Sequence, residues 1–157
     1  MKNDYLNIYN NLIKLTRNKN LYLNLKNKDT FSDRLIILLF HYSFFIKFYK
    51  NQISIDESQD LFDFIIRQIE LSIREIGYGD VSVNKKMKDY VNLFYSILEK
   101  IESWDNMEKS SKMSLFGEFI NIKDNSDFFV SYFDKYRDFL LNNPLKIFTK
   151  DILELKF

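Results

Sequence analysis

The stretch Thr30-Phe31-Ser32-Asp33-Arg34-Leu35-Ile36-Ile37-Leu38-Leu39-Phe40-His41-Tyr42-Ser43-Phe44-Phe45-Ile46-Lys47-Phe48-Tyr49-Lys50 reads as one helix with apolar residues on nearly every side. Leu35, Leu38, Leu39, Tyr42, Phe45, Ile46 and Tyr49 leave it no continuous polar face, and a helix that is apolar all round belongs in the middle of others. Thr30 with Asp33 three residues on supplies the N-terminal capping signature. Its longest apolar run, Leu35 to Ile46, is interrupted by His41 and Ser43 and bounded by Arg34 and Lys47. That run falls short of the roughly 20 residues needed to cross a bilayer, so a buried core helix is predicted.

The elements that must surround this helix follow from periodicity. On the N-terminal side Tyr5, Ile8, Tyr9, Leu12 and Leu15 recur at helical spacing and predict a helix from about Asp4 to Arg17. Asn18 to Asp29, rich in Asn and Lys, reads as a loop anchored by Leu21, Leu23 and Leu25. On the C-terminal side Ser54 and Glu57 form a capping box, and Asp56, Glu57 and Asp60 complement the positive end of the helix dipole. The helix that begins there carries Phe62, Ile65, Ile66, Ile69, Ile73 and Ile76 as its buried stripe, with Asp63/Arg67 and Glu70/Arg74 as pairs four apart.

Gly77 ends that helix as the left-handed residue past its cap, and Gly79 and Asp80 continue the turn. A further helix runs from about Ser82 or Val83 to Ser103, with Met87, Tyr90, Val91, Phe94, Leu98 and Ile101 facing inward. A polar stretch around Trp104 to Lys112 separates it from a shorter helix near Met113 to Ile122. Ser126 or Asp127 starts another, containing Phe129, Tyr132, Phe133, Tyr136, Phe139 and Leu140 and stopped by Asn142, Asn143 and Pro144. The last dozen residues read as a short helical turn and a tail in which Leu153, Leu155 and Phe157 alternate with polar residues. The fold class is all-α, a single-domain compact bundle of about six helices around a central apolar one, spanning residues 1–157.

Composition removes several functions. The chain has 157 residues, no Cys and one His, which leaves no disulfide, thiol nucleophile, zinc-thiolate site or cysteine-ligated iron–sulfur cluster. No carboxylate stands three or four residues before His41, so the di-iron pattern of helical bundles is missing. A lone histidine on such a stripe, shared with Arg34, Leu38 and Phe45, is more often packed structure than a ligand. Gly77-Tyr78-Gly79 is a fragment of the dinucleotide fingerprint, but Ser82 stands at the third glycine and a helix precedes it. No cofactor, metal or catalytic residue is expected. The N-terminus has no uninterrupted apolar stretch of a secretory signal, so a cytoplasmic location is expected, or a peripheral one at the cytoplasmic face of the inner membrane.

Net charge is +1, yet it is segregated: residues 1–50 carry 9 basic and 3 acidic side chains, and residues 51–80 carry 2 basic and 7 acidic. Lys85, Lys86 and Lys88 stand out because three ammonium groups in the opening turns of a helix oppose its dipole, at roughly 0.3–1 kcal/mol each in low salt. Asp80, Asp89, Glu70 and Glu75 are the local carboxylates that could compensate. Either these lysines belong to a structural ion-pair network, or they form a small basic patch beside a rigid turn that docks an acidic or phosphate-bearing partner.

The order of residues resembles the ubiquinol–cytochrome c chaperone family. The resemblance rests on Thr30, Asp33, Arg34, His41, Phe62-Asp63, Arg74-Glu75-Ile76-Gly77, Gly79-Asp80, Val83, Lys85-Lys86-Met87-Lys88 and Phe94-Tyr95, and is strongest over residues 30–101. Relatives usually carry an Arg-Asn pair after Trp104, where this chain has Gly117-Glu118-Phe119-Ile120. The resemblance implies a helical, non-enzymatic assembly factor for the bc1 complex that binds newly made cytochrome b or another bc1 subunit, with a small co-chaperone and the ribosome as further partners. Arg74, Glu75, Gly77, Gly79, Asp80, Lys85, Lys86 and Lys88 are the candidate partner-binding residues, with Arg34 and His41 second to them. The alternative is a ribosome- or RNA-binding adaptor using the same lysines, for which counterion release predicts binding that falls steeply with salt.

Overall fold

Seven α-helices follow one another among the described residues: α1 (Tyr5–Thr16), α2 (Lys19–Leu23), α3 (Phe31–Tyr49), α4 (Ile55–Glu75), α5 (Asp80–Ile101), α6 (Lys109–Phe119) and α7 (Phe128–Asn142). Short 3-10 helices lie at Lys50–Gln52, Trp104–Asn106 and Leu145–Thr149. This computed structural model describes residues 4–26, 30–124, 126–150 and 157. The chain is all-α, and the one β-type pairing among the described residues is an isolated bridge between Leu25 and Ile122.

The apolar stretch becomes the axis. Thr30 Oγ1 accepts from Asp33 N–H at 3.1 Å and Asp33 Oδ2 accepts from Thr30 N–H at 3.3 Å, so both donors at the start of α3 are satisfied reciprocally. From Ile37 to Phe45 every residue of α3 is buried, including His41 and Ser43. α1, α5 and α7 pack around it, α4 lies against α5 and α1, and α6 covers α7. The centre is aromatic: Phe44 meets Phe133 at 4.9 Å and Trp104 at 5.0 Å between ring centroids, and Phe40 meets Phe116 at 4.9 Å. Tilted and edge-on pairs of this kind add about 0.5–1.5 kcal/mol each beyond the area they bury.

Several elements differ from their sequence reading. The segment predicted as a loop contains α2, opened by the Asn18 side chain accepting from Asn20 N–H at 3.0 Å. Leu21 and Leu25, four apart, are buried from one side of that turn, while Leu23 points out and is 66% exposed. On α4 the buried stripe is Leu61, Ile65, Ile69 and Ile73, spaced strictly by four. Phe62 and Ile66 flank it half-buried, and Ile76 is exposed because it falls one residue short of the next position. Arg67 does not pair with Asp63; it reaches forward to Glu70 at 2.7 Å, while Asp63 accepts from Gln59 Nε2 at 2.9 Å.

Trp104, read as part of a polar connection, is fully buried. Its Nε1–H donates to Asp134 at 3.1 Å and the Lys112 ammonium lies 4.5 Å from its ring centroid. The helix expected from Met113 accordingly starts earlier, at Lys109, and ends at Phe119. At the C-terminus the short helical turn forms as expected, and Asn11 Nδ2 holds it to α1 by donating to the carbonyls of Phe148 at 2.9 Å and Lys150 at 3.0 Å. Phe157 stacks on Tyr136 at 5.5 Å, while Leu153 and Leu155 lie outside the described residues. No helix among the described residues is long and apolar enough to cross a membrane.

Candidate docking site at the turn between α4 and α5

The turn is built by the end of one amphipathic helix and the start of another. Ile76 N–H and Gly77 N–H close back on the carbonyls of Ile73 and Arg74 at 3.2 and 2.9 Å. Gly77 takes φ +107°, which a side chain would strain even though space is open around it. Gly79 differs: with φ −73° and ψ 166° it is ordinary extended backbone, and it serves as the residue ahead of α5. Its carbonyl accepts from Val83 N–H at 2.9 Å, but it has no side chain to cap the first amides of the helix.

Arg74 locks the two sides together. Its guanidinium bonds Asp80 across the turn and Glu70 one helical turn back at 3.2 Å, and Glu70 also accepts from Arg67. Hydrogen bonds from Arg67 and then Arg74 hold the Glu70 carboxyl below the usual carboxylate range, and the Asp80 and Glu70 contacts raise Arg74. Two of the four carboxylates that could neutralise the lysines are therefore committed to arginine. Among the described residues Lys85, Lys86 and Lys88 form no ion pair; Lys86 instead lies 4.6 Å from the centroid of the Tyr78 ring.

The same surface has an apolar component that residue-by-residue reading of charge does not reveal. Val81 is 86% exposed, and Ile76 and Tyr78 are also open to solvent. Val81, Lys85 and Lys88 stand four and three apart, so they share one face of α5, opposite the face that Val83, Phe94, Ile97 and Ile101 bury. Glu75 is exposed at the end of α4 beside them in sequence. The structure thus brings Arg74, Glu75, Gly77, Gly79, Asp80 and the three lysines into one turn and helix start, flanked by exposed apolar side chains. The signal in the sequence was Ile76, which is out of step with the four-residue stripe ending at Ile73.

Arg34 and His41 lie elsewhere. Arg34 is exposed on the first turns of α3 and lines a cavity shared with α1 and α2. His41 is fully buried. Its Nδ1 is 2.8 Å from the Ile37 carbonyl, which can only accept, so Nδ1 carries the proton; Nε2 then accepts from Tyr132 Oη at 2.7 Å. Desolvation pushes its pKa down to about 3, and the neutral ring packs against Phe133 and Tyr136. None of its hydrogen-bond partners belongs to the turn. No group of three or more metal-ligating side chains occurs among the described residues.

An all-α bundle that sets lysines with no ion pair among the described residues beside exposed apolar side chains presents a candidate docking surface. The profile of the family described as ubiquinol–cytochrome C chaperone matches residues 23–111, more than half of the chain. The chain belongs to this family. The matched segment contains α3, α4 and α5, and with them every candidate site residue. Curated proteins and solved structures gave no match.

Proposed function

We propose that this protein is a non-enzymatic chaperone in assembly of the ubiquinol–cytochrome c reductase complex, and that it binds newly made cytochrome b through the turn between α4 and α5 and the basic start of α5. Membership of the chaperone family carries the assembly role. The finer assignment is supported by one observation: Glu70 of α4 and Asp80 of α5 are both taken by Arg74, and Lys85, Lys86 and Lys88 oppose the α5 dipole with no ion pair among the described residues. Cations retained in that arrangement, beside exposed Val81 and Tyr78, suit a mixed acidic and apolar segment of a membrane subunit that faces the cytoplasm.

The acting unit is the whole of residues 1–157 as one domain. In support of that reading, α1 and α7, which lie wholly outside the matched segment, bury the sides of α3, and the hydrophobic core runs through all of them. The tagged full-length protein, purified from detergent-solubilised cells, is expected to bring down cytochrome b. The triple substitution Lys85→Glu, Lys86→Glu, Lys88→Glu is expected to abolish that recovery while melting within a few degrees of the parent. Recovery of cytochrome b undiminished by the charge reversal would remove the lysines from the interface. Salt-sensitive pelleting with ribosomes in place of cytochrome b recovery would favour the adaptor reading.

A further inference from the structure

At the end of the α4–α5 pair remote from the turn, the second half of α3, the start of α4 and the last turns of α5 leave a cavity of about 320 Å³. Four of its lining residues are aromatic and linked ring to ring. Tyr42 stacks on Phe94 at 4.9 Å and 19°, Phe94 meets Phe62 at 5.6 Å, and Phe62 meets Tyr95 at 5.9 Å. Ile46, Ile53 and Leu98 add aliphatic surface. One polar atom there has no protein partner. Tyr42 is only 1% exposed, yet its hydroxyl makes no hydrogen bond among the described residues. Every described side-chain nitrogen or oxygen that is fully closed off does have a partner, so the Tyr42 hydroxyl opens onto space, and the space that Tyr42 lines is this cavity. Burial pushes its pKa above the usual tyrosine value, which keeps it a neutral phenol with a proton to donate.

The charges around the cavity disfavour ions of either sign. Lys50 is the one charged side chain in its lining among the described residues, and it opposes a cation. The negative charge of Asp63 reaches the Tyr42 hydroxyl and opposes an anion there. Nor are the first amides of α4 open to an anion, because Ser54 Oγ accepts from Glu57 N–H at 3.1 Å and Asp56 and Glu57 occupy the first turn. We propose that this cavity binds an uncharged, flat aromatic molecule carrying a carbonyl oxygen. The rings and aliphatic side chains take the arene out of water, and the Tyr42 hydroxyl donates to the carbonyl. An arene without an acceptor leaves that buried donor unmatched, and a wholly polar molecule leaves the rings wet. The volume falls at the lower end of that of small-molecule sites.

Suitable probes are acetylnaphthalene, its analogue ethylnaphthalene, which has no oxygen, and naphthoate, which carries charge. Each is titrated separately into the 157-residue protein by calorimetry, with amide NMR shifts to locate the site. Acetylnaphthalene is expected to bind saturably with one molecule per chain and to shift the amides of Ile46, Ile53 and Leu98. Ethylnaphthalene and naphthoate are each expected to bind at least about fivefold more weakly, the effect of losing one net hydrogen bond. Tyr42→Phe keeps the ring and removes the hydroxyl, so it should erase the preference for the ketone over ethylnaphthalene while melting no lower than the parent. Ser58→Trp, which fills the cavity from α4 without altering charge, should abolish saturable binding of both. No saturable acetylnaphthalene binding overturns the proposal, as do equal affinity for ethylnaphthalene or naphthoate, a preference for the ketone that survives in Tyr42→Phe, and binding unaltered by Ser58→Trp. A lowered melting temperature of Tyr42→Phe also overturns it, since the protein itself would then be using the hydroxyl.

Discussion

His41 shows how a single polar atom pattern can fix the state of a residue. Because the Ile37 carbonyl takes the Nδ1 proton and Tyr132 donates to Nε2, both ring nitrogens are satisfied only when the imidazole is neutral. Its pKa is depressed from 6.5 to about 3, so the folded protein resists protonation that the unfolded chain accepts. The stabilising contribution is complete above the unfolded value of 6.5 and is lost as pH falls toward about 3. Between those limits it amounts to roughly 1.4 kcal/mol per pH unit. Urea unfolding of the parent should therefore show stability falling by about 2 kcal/mol more between pH 6.5 and 5 than that of His41→Gln, which is less stable at pH 7 but flatter below it. Equal slopes in the two proteins would mean that His41 is not the group that titrates. The sequence placed His41 among apolar neighbours on a central helix and favoured a structural role, but Tyr132, the partner that fixes its tautomer, lies 91 residues away.

At the scale of elements, the turn from α4 to α5 separates two glycines that look alike in the sequence. Gly77 at φ +107° occupies a conformation that costs an L-residue about 1–2 kcal/mol, whereas Gly79 is extended and stands where Ser is preferred. Gly77→Ala should lower unfolding free energy by about that amount, and Gly79→Ser should leave it unchanged or slightly raised. Denaturant titrations that rank the two the other way would show that the turn is shaped differently. Most elements were legible here because caps and periodicity are local: Thr30 with Asp33, Ser54 with Glu57, and Gly77 each set a boundary through neighbours within a few residues. Where the reading failed, the cause was tertiary. Trp104 sits in a polar stretch of sequence and is buried only because Asp134 of α7 receives its N–H and Lys112 of α6 covers its ring. α2 forms because Leu21 and Leu25 find space beneath it, and α4 narrows its buried stripe to four-residue spacing because α5 and α1 touch it on one edge.

For the molecule as a whole, packing around α3 decides which face of α5 is turned outward. α3 is enclosed by α1, α5 and α7, and this fixes the register of α5, whose buried Val83, Phe94, Ile97 and Ile101 force Val81, Lys85 and Lys88 outward. The lysines were visible in the sequence as a charge pattern. That they form no ion pair with Glu70 or Asp80 was not, because it depends on Arg74 taking both. The apolar company of Ile76, Tyr78 and Val81 also emerges only once the α4 stripe is placed. The proposed docking of newly made cytochrome b on this face can be checked by photocrosslinking in cells. A photoreactive residue is placed at Lys88 in one protein and at exposed Lys135 on α7 in another. A crosslink to cytochrome b is expected from position 88 and none from position 135. Equal crosslinking from both positions, or a crosslink from position 135 alone, would contradict it.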